Sequence, residues 1–351
     1  MKVKVYFIHE FIHDLDGFAN YLRISDKIKS HLVWDTDNPD FLFASEWIYF
    51  KKHAFKEFKR LWGKAKVRVM YAGEAIEPDF NLFDYVIGFS NKCQMGDRFV
   101  RIMSPLDMFS SFIHQRENEI TSLEQAKLCL NEKRGFCNFL YSNPNAHPRR
   151  DQLFYELSTY KRVDSLGRHL NNVGKLGTGF VGHAADCKDI KSLYKFSIAS
   201  ENATFDGYTS EKVYTSLTAH TVPIYWGNKD ISEDVNPKAI INANEFTSPQ
   251  ELINYVKYVD EHDDVWLDMV MQPWILPEQM KKHLQRTQKY DDFFEWLFEG
   301  EINDKKRIAE GTHVDNYRMF LLDRAYSMEL NWKTFPRYID KLKKSLKSST
   351  F

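Results

Sequence analysis

The stretch LYKFSIASENATFDGYTSEKVYTSLTAHTVPIYWG, residues 193–227, decides the fold class of this chain. It opens on an apolar run, LYKFSIAS, that reads as a buried strand, and closes on a second, TVPIYWG. Between them EKVYTSLTAH reads as a helix. The connecting segment SENATFDGYTSEK (200–212) is too polar for a core, and its glycine, tyrosine and two hydroxyls before Glu211–Lys212 are too ordered for a slack surface loop. Strand, loop, helix and strand form the unit of a parallel sheet, whose ligands gather beyond the carboxyl ends of the strands. The segment reads as a ligand loop.

The same alternation runs in both directions from there. Upstream, GFCNFLYS reads as a strand, RRDQLFYELSTY as a helix and RVDSLG as a strand end and turn. Nearer the amino terminus, Val3, Val5, Phe7 and Ile8 form a β-type run, followed by the helical pattern DLDGFANYLRISDKIK, strands HLVW and DFLFAS, a helix over 51–62, and strands KVRVMYAG (66–73) and FDYVIGFS (83–90). Glu74 follows directly on the end of such a strand. The polar, charged stretch from about 106 to 135 reads as a helical connector and boundary. The expected organisation is α/β, with a first domain over 1–133, a second over 134–300 and a helical segment over 301–351.

A chain of 351 residues is long enough for two domains of ~100–200 residues each. Apolar residues at 43% and charged residues at 28% are those of a soluble globular protein, and a net charge of −1 gives no nucleic-acid signal. Cys93, Cys129, Cys137 and Cys187 share no CxxC spacing, which favours free thiols and a reducing compartment. MKVKVYFIHE lacks the features of a signal peptide, and no run approaches the ~20 apolar residues of a membrane span. The expected location is therefore cytoplasmic. The basic tail KTFPRYIDKLKKSLK (333–347) sets Tyr338, Ile339, Leu342 and Leu346 roughly on one face, suited to packing on the body or to peripheral contact with the inner face of an anionic membrane.

In the opening segment, a helix beginning at Glu211 with Ser210 or Thr209 as its cap turns free N–H groups and a positive dipole end toward the loop, which suits phosphate oxygens. Lys212 adds a full charge. Gly207 frees the backbone for close approach, Tyr208 offers a ring and a hydroxyl, and Asn202 a donor and an acceptor. Glu211 can grip sugar hydroxyls; its plainer role is a first-turn carboxylate favoured by the dipole. Arg168, after the turn DSLG, supplies a second cation beyond a strand end, and two cations converging there suggest an anion.

Other patterns carry less. HEFIH (His9 to His13) matches the zinc-protease pattern HExxH, but it starts where a strand ends and has no third ligand. The triplets DLD (14–16) and DTD (35–37) resemble a cation-binding Asp-x-Asp, yet the second has the composition of a turn. GKLGTG (174–179) lacks the Gly-Lys-Ser/Thr ending of a phosphate loop and reads as a flexible border to the second cleft.

The run FSIASENATFDGYTSEKVYTSLTAHTVPIYWG resembles the signature of glycosyltransferase family 10, the α1,3/α1,4-fucosyltransferases. KRGFCNFLYSNPNA, VDSLGRHLNNVG, YAGEAIEPDFNLFDYVIGF and YVDEHDDVWLDM look like bacterial members, so the resemblance covers about residues 67 to 270. It implies a GT-B architecture, two Rossmann-like doubly wound domains facing a central cleft, the first taking an oligosaccharide acceptor and the second GDP-fucose. It also implies inversion at the fucose carbon without an obligatory metal, a divalent cation such as Mn2+ or Mg2+ being at most stimulatory. On this chain Glu74 stands at the position of the general base, with Gly73 against it. Arg168 and Lys212 stand at the pyrophosphate-binding cations, and Asn202, Tyr208 and Glu211 at donor-binding positions. The family's Phe-Glu-Asn is Ser200-Glu201-Asn202 here, and its Tyr-Val-Thr-Glu-Lys is Tyr208-Thr209-Ser210-Glu211-Lys212.

The chemistry of the residues agrees with that family independently. Breaking a sugar–phosphate bond puts charge on the β-phosphate, which preorganised cations and amides stabilise, while one carboxylate takes the proton of the attacking hydroxyl. A glycosidase would need two carboxylates flanking the bond. The expected activity is GDP-fucose-dependent α1,3-fucosylation of an N-acetyllactosamine- or lactose-type glycan. Its rivals are transfer from another GDP-sugar, a non-catalytic nucleotide-sugar-binding module, and a zinc hydrolase built on His9, Glu10 and His13.

Overall fold

Val3–Ile8 (β1) alternates valine, tyrosine and phenylalanine, residues that suit an extended chain covered on both faces. It lies between β2 (Leu32–Trp34) and β3 (Phe41–Ser45), in a six-stranded sheet of order β2-β1-β3-β4-β5-β6 completed by β4 (Val67–Tyr71), β5 (Tyr85–Gly88) and β6 (Phe99–Arg101). The registers from β2 through β5 are parallel. The chain leaves β1 toward β2 and returns to β3 on the other side, so β1 and β3 flank the topological switch point. Four helices connect these strands: α1 (Leu15–Tyr21), α2 (Asp26–Lys29), α3 (Trp47–Phe50) and α4 (Lys52–Trp62). In α4 the buried residues Ala54, Phe55, Phe58, Leu61 and Trp62 recur at three- and four-residue spacing, which is why this face packs on the sheet. The computed structural model describes residues 2–102, 112–174, 184–309 and 311–332. The segment from 175 in GKLGTG and the tail 333–347 lie outside them.

A second sheet, also parallel, has the order β11-β10-β9-β7-β8 and comprises β7 (Gly135–Phe139), β8 (Val163–Ser165), β9 (Tyr194–Ser200), β10 (Val222–Trp226) and β11 (Ile241–Asn242). Here the switch point lies between β7 and β9. The helices are α5 (Leu123–Glu132), α6 (Arg149–Ser158), α7 (Ala184–Ser192), α8 (Glu211–Thr218), α9 (Pro249–Glu261), α10 (Asp263–Val270) and α11 (Pro277–Phe298). Phe136, Phe139, Phe154, Phe196, Ile224 and Trp266 share one core cluster, and Ala199, Val213, Tyr214, Leu217 and Tyr225 another. Burial on both faces accounts for the near-continuous apolar strands.

The end of α11 belongs with the first sheet. Phe294 stacks on Phe43 with ring centroids 6.3 Å apart, Phe298 meets Phe41 at 5.2 Å, and the Tyr290 hydroxyl donates to the Leu22 carbonyl at 2.8 Å. Beyond it, Asp84 accepts the N–H groups of Arg307 and Ile308 at 2.7 and 2.8 Å, ahead of α12 (Thr312–Trp332). Contacts therefore gather into two compact units, formed by the described residues of Met1–Gly88, Cys93–Val100 and Lys289–Phe351, and of Phe89–Lys92 and Arg101–Gln288. The contacts pass to the second unit over Phe89–Lys92, return to the first over Cys93–Val100 and, after Arg101–Gln288, pass back to the first again at Lys289. The amphipathic pattern of a helix shows that it packs, not on which sheet. Among the described residues no helix is long and apolar enough to cross a membrane.

Candidate functional site

β9 ends at Ser200, and the next residue, Glu201, is 0% exposed. Its carboxylate accepts the Ser210 N–H at 2.8 Å, the Ser210 hydroxyl at 2.6 Å and the Lys212 ammonium at 3.2 Å. Only a glycine fits behind it, because a Cβ on Gly227 would stand 2.4 Å from the Glu201 Cγ. Burial raises the Glu201 carboxyl, against the pull of Lys212. Burial would lower Lys212, but Glu211 and Glu201 outweigh it and hold the ammonium well above the ordinary lysine value, so it stays charged. Glu211, 3.4 Å from Lys212, is held below the usual range: burial pushes it up, and Lys212, its own N–H and the Ser210 hydroxyl more than offset this. Ser210 is the N-cap of α8 as expected, yet its hydroxyl makes no cap bond and is given to Glu201 instead. The first turn of α8 is thus left without a side-chain cap, at the end of the helix that attracts anions. Beneath it Lys191 of α7 donates to the hydroxyls of Thr215 and Ser216 at 2.7 and 3.1 Å, and burial pushes its ammonium down to about 8.

Gly207 has φ +86°, and a Cβ there would meet the Phe89 carbonyl oxygen at 2.3 Å and the Asn91 nitrogen at 2.8 Å. The close approach that the sequence assigns to a ligand is made by the protein's own backbone. Tyr208, 3% exposed, packs edge-on against Phe89 at 4.8 Å. Thr209 donates its hydroxyl to the fully buried Asp234 at 2.7 Å, and Arg286 and Arg101 bind the same carboxylate at 3.2 and 3.5 Å. The loop is anchored on both sides.

The turns after β7 and β8 are locked together. A Cβ on Gly167 would lie 2.0 Å from the Tyr141 carbonyl oxygen, and His169 donates its N–H to that oxygen at 3.0 Å. This fixes Arg168, which is exposed and makes no ion pair among the described residues. Two strand spacings, ~10 Å, separate the ends of β8 and β9. Between them the Tyr141 hydroxyl accepts the Ser200 N–H at 2.7 Å and donates to the Ile198 carbonyl at 2.9 Å. Asn202 accepts from Arg150 at 3.2 Å. Arg150 is itself buried, with its guanidinium over the Tyr141 ring at 4.5 Å, and its Nε has no hydrogen-bond partner among the described residues.

In the first unit Glu74 is exposed, in the turn after β4, and its carbonyl accepts the Ile76 N–H at 2.8 Å. The Gly73 N–H is committed to the protein: it donates to Glu46 Oε2 at 3.0 Å. Glu46, 5% exposed, follows β3 as Glu201 follows β9, and each ends an Ala-Ser-Glu triplet. That repetition of a carboxylate at the close of an apolar strand is the signal by which both could have been found. HEFIH lies in the loop between β1 and α1, so its imidazoles do not share a helix face, and burial pushes His9 down to about 4. Asp14 caps α1 through the Gly17 N–H at 2.7 Å, and Asp35 accepts the N–H groups of Asp37 and Asn38 at 3.0 and 2.8 Å, so both triplets serve turns and helix ends. Among the described residues no cluster of His, Cys, Asp and Glu is arranged to hold a metal. A cavity of about 690 Å³ opens beside β10 and β11, with Arg149, Trp226, Asn242 and Glu245 in its wall.

Comparison with known proteins agrees with this geometry. The model of the glycosyltransferase family 10 (fucosyltransferase) C-terminal region matches residues 130–274, and that of the alpha-(1,3)-fucosyltransferase FucT N-terminal domain matches residues 5–109. The chain is 31% identical over 233 residues to the alpha-(1,3)-fucosyltransferase FucT of Helicobacter pylori, covering 58% of this chain and 46% of that one. It is 34% identical over 130 residues to an alpha-(1,4)-fucosyltransferase of Arabidopsis thaliana, covering 33% and 32%. It thus spans less than half the length of these curated relatives. A crystal structure of an alpha1,3-fucosyltransferase with GDP-fucose superposes with a TM-score of 0.61 at 26% identity, covering 86% of this chain and 91% of that one. With two parallel α/β sheets of the GT-B type and a match to both halves of the family, this chain belongs to glycosyltransferase family 10.

Proposed function

We propose that the chain transfers fucose from GDP-fucose, with inversion, to the 3-hydroxyl of N-acetylglucosamine or glucose in an N-acetyllactosamine- or lactose-type glycan, giving a Lewis-type product. The acceptor oxygen attacks the fucose anomeric carbon as its bond to the β-phosphate oxygen breaks, and GDP leaves with the electron pair. Glu74 takes the acceptor's proton, a contribution of ~10²–10⁴-fold. Lys212, Arg168 and the amides at the start of α8 meet the charge on the pyrophosphate, so no metal is obligatory and a divalent cation at most stimulates. Asn202, Tyr208 and Glu211 order the donor, and the cavity beside Trp226 takes the base. The observation that carries the reading is the uncapped first turn of α8, with a Lys212 that stays charged, at the switch point of the second sheet.

The test is transfer from GDP-fucose to lactose, N-acetyllactosamine and the isomeric type 1 disaccharide in the presence of EDTA, with the linkage read by NMR. An α1,3 product on the first two supports the proposal. Preference for another GDP-sugar, or tight GDP-fucose binding without transfer to any acceptor, overturns it.

A further inference from the structure

The turn that carries Glu74 hangs from a carboxylate to which the reaction assigns no part. Glu46 lies beyond β3, at the switch point of the first sheet, and its Oε2 accepts the Gly73 N–H at 3.0 Å. Both of its oxygens border Gly73: a Cβ there would stand 3.5 Å from Oε1 and 3.8 Å from Oε2. The side chain is buried, and among the described residues no cation acts on it. Accepting backbone N–H groups, its own and that of Gly73, does not call for a carboxylate, since a glutamine of the same shape would serve. A buried acid without a counter-ion is a liability to stability, and such groups concentrate at functional sites.

We propose that Glu46 is a positioning residue for the transfer, holding the Gly73–Glu74 turn by its bond to Gly73 and, when ionised, repelling the Glu74 carboxylate into its working orientation. This rests on the reading of Glu74 as the base. The bond from Gly73 is charge-assisted only while Glu46 is ionised, so its strength follows pH. Burial, reinforced by Glu74 and offset by the N–H groups of Glu46 and Gly73, pushes Glu46 up to about 7. The groups around it are Glu74 on the turn, Tyr71 on β4, Tyr21 on α1 and Tyr290 on α11 acting on Tyr71, and His9 beyond β1, 4.8 Å from Tyr21. Tyr71 lies well above the ordinary tyrosine value and His9 at about 4, so neither changes charge near neutrality.

The experiment measures kcat and KM of the full chain across neutral pH for wild type, Glu46→Ala, Glu46→Gln and Glu74→Gln, with thermal melting and GDP binding alongside. Glu46→Ala is expected to lower kcat ~10–100-fold, the scale of a small misplacement of a reacting group, with the KM for GDP-fucose and GDP binding unchanged. Glu46→Gln, which can still accept the Gly73 N–H, is expected to recover part of that loss and to abolish the inflection near pH 7. A wild-type kcat in Glu46→Ala, or an inflection that survives in Glu46→Gln, overturns the proposal. If the alanine variant does not fold, the glutamine pH profile decides alone. An active Glu74→Gln removes the underlying base assignment, whereas an inactive Glu74→Gln beside an unimpaired Glu46→Ala removes only the positioning role.

Discussion

Two buried glutamates serve the two halves of this chain in the same way and under opposite conditions. Glu201 accepts the Ser210 N–H at 2.8 Å and Glu46 accepts the Gly73 N–H at 3.0 Å, each from the loop that carries the charged group assigned to the reaction. Glu201 is paired with Lys212 and the Ser210 hydroxyl, so the loop in front of α8 is a preorganised, nearly saturated network. Among the described residues Glu46 has backbone hydrogen-bond partners alone, and burial pushes it up to about 7. The loop assigned to the donor is therefore rigid and fixed in charge, while the turn assigned to the acceptor hangs from a group that titrates near neutrality. Holding a leaving group whose negative charge grows as its bond breaks calls for the first arrangement; passing a proton tolerates the second.

The contrast is broken most directly at Glu74. Glu74→Gln should reduce kcat by ~10²–10⁴-fold with the melting temperature and GDP affinity unchanged, because the side chain is exposed. Glu201→Ala should act in the opposite sense, on the fold: it leaves the Ser210 N–H without its carboxylate and Lys212 with Glu211 alone, and should destabilise the protein by ~3 kcal/mol in urea unfolding. A melting point equal to wild type would show that this network is dispensable.

Smaller effects sharpen the comparison. Between the ordinary carboxyl value of 4.5 and about 7, the folded protein holds the Glu46 proton more tightly than the unfolded chain does. Stability must therefore fall as pH rises through that window, by at most about 3.5 kcal/mol at ~1.4 kcal/mol per unit. Unfolding at pH values on either side should show this slope in wild type and its loss in Glu46→Gln, which should be the more stable protein above the window. Arg168→Ala should leave stability untouched, since the guanidinium is exposed, and weaken GDP binding by about tenfold or more, the worth of a charge-assisted hydrogen bond of ~1.5–3 kcal/mol. Calorimetric titration with GDP measures it.

Much of the scaffold is legible in the sequence. LYKFSIAS and TVPIYWG became Tyr194–Ser200 and Val222–Trp226, and the helix between them begins at Glu211 as its composition suggests. HEFIH was separable from a zinc site because its start coincides with a strand end, and the structure leaves it in a loop. The function of individual polar residues was less visible. Ser210 is the helix N-cap that its type suggests, but its hydroxyl goes to Glu201 and not to the helix; the close approach that Gly207 permits is taken up by the Phe89 carbonyl. Arg150, buried over Tyr141 beside Asn202, carries no signal in the sequence.

The sequence by itself determined the parallel α/β units, the strand-end position of Glu74 and the start of the anion-facing helix. These follow from side-chain periodicity and turn chemistry, which act over a few neighbouring residues. Only the tertiary structure decided which carboxylate is matched by a cation and which is not. Burial and partnership depend on groups brought together from distant parts of the chain, as Gly73 is brought to Glu46 across 27 positions, and a protonation state is a property of that assembled surrounding.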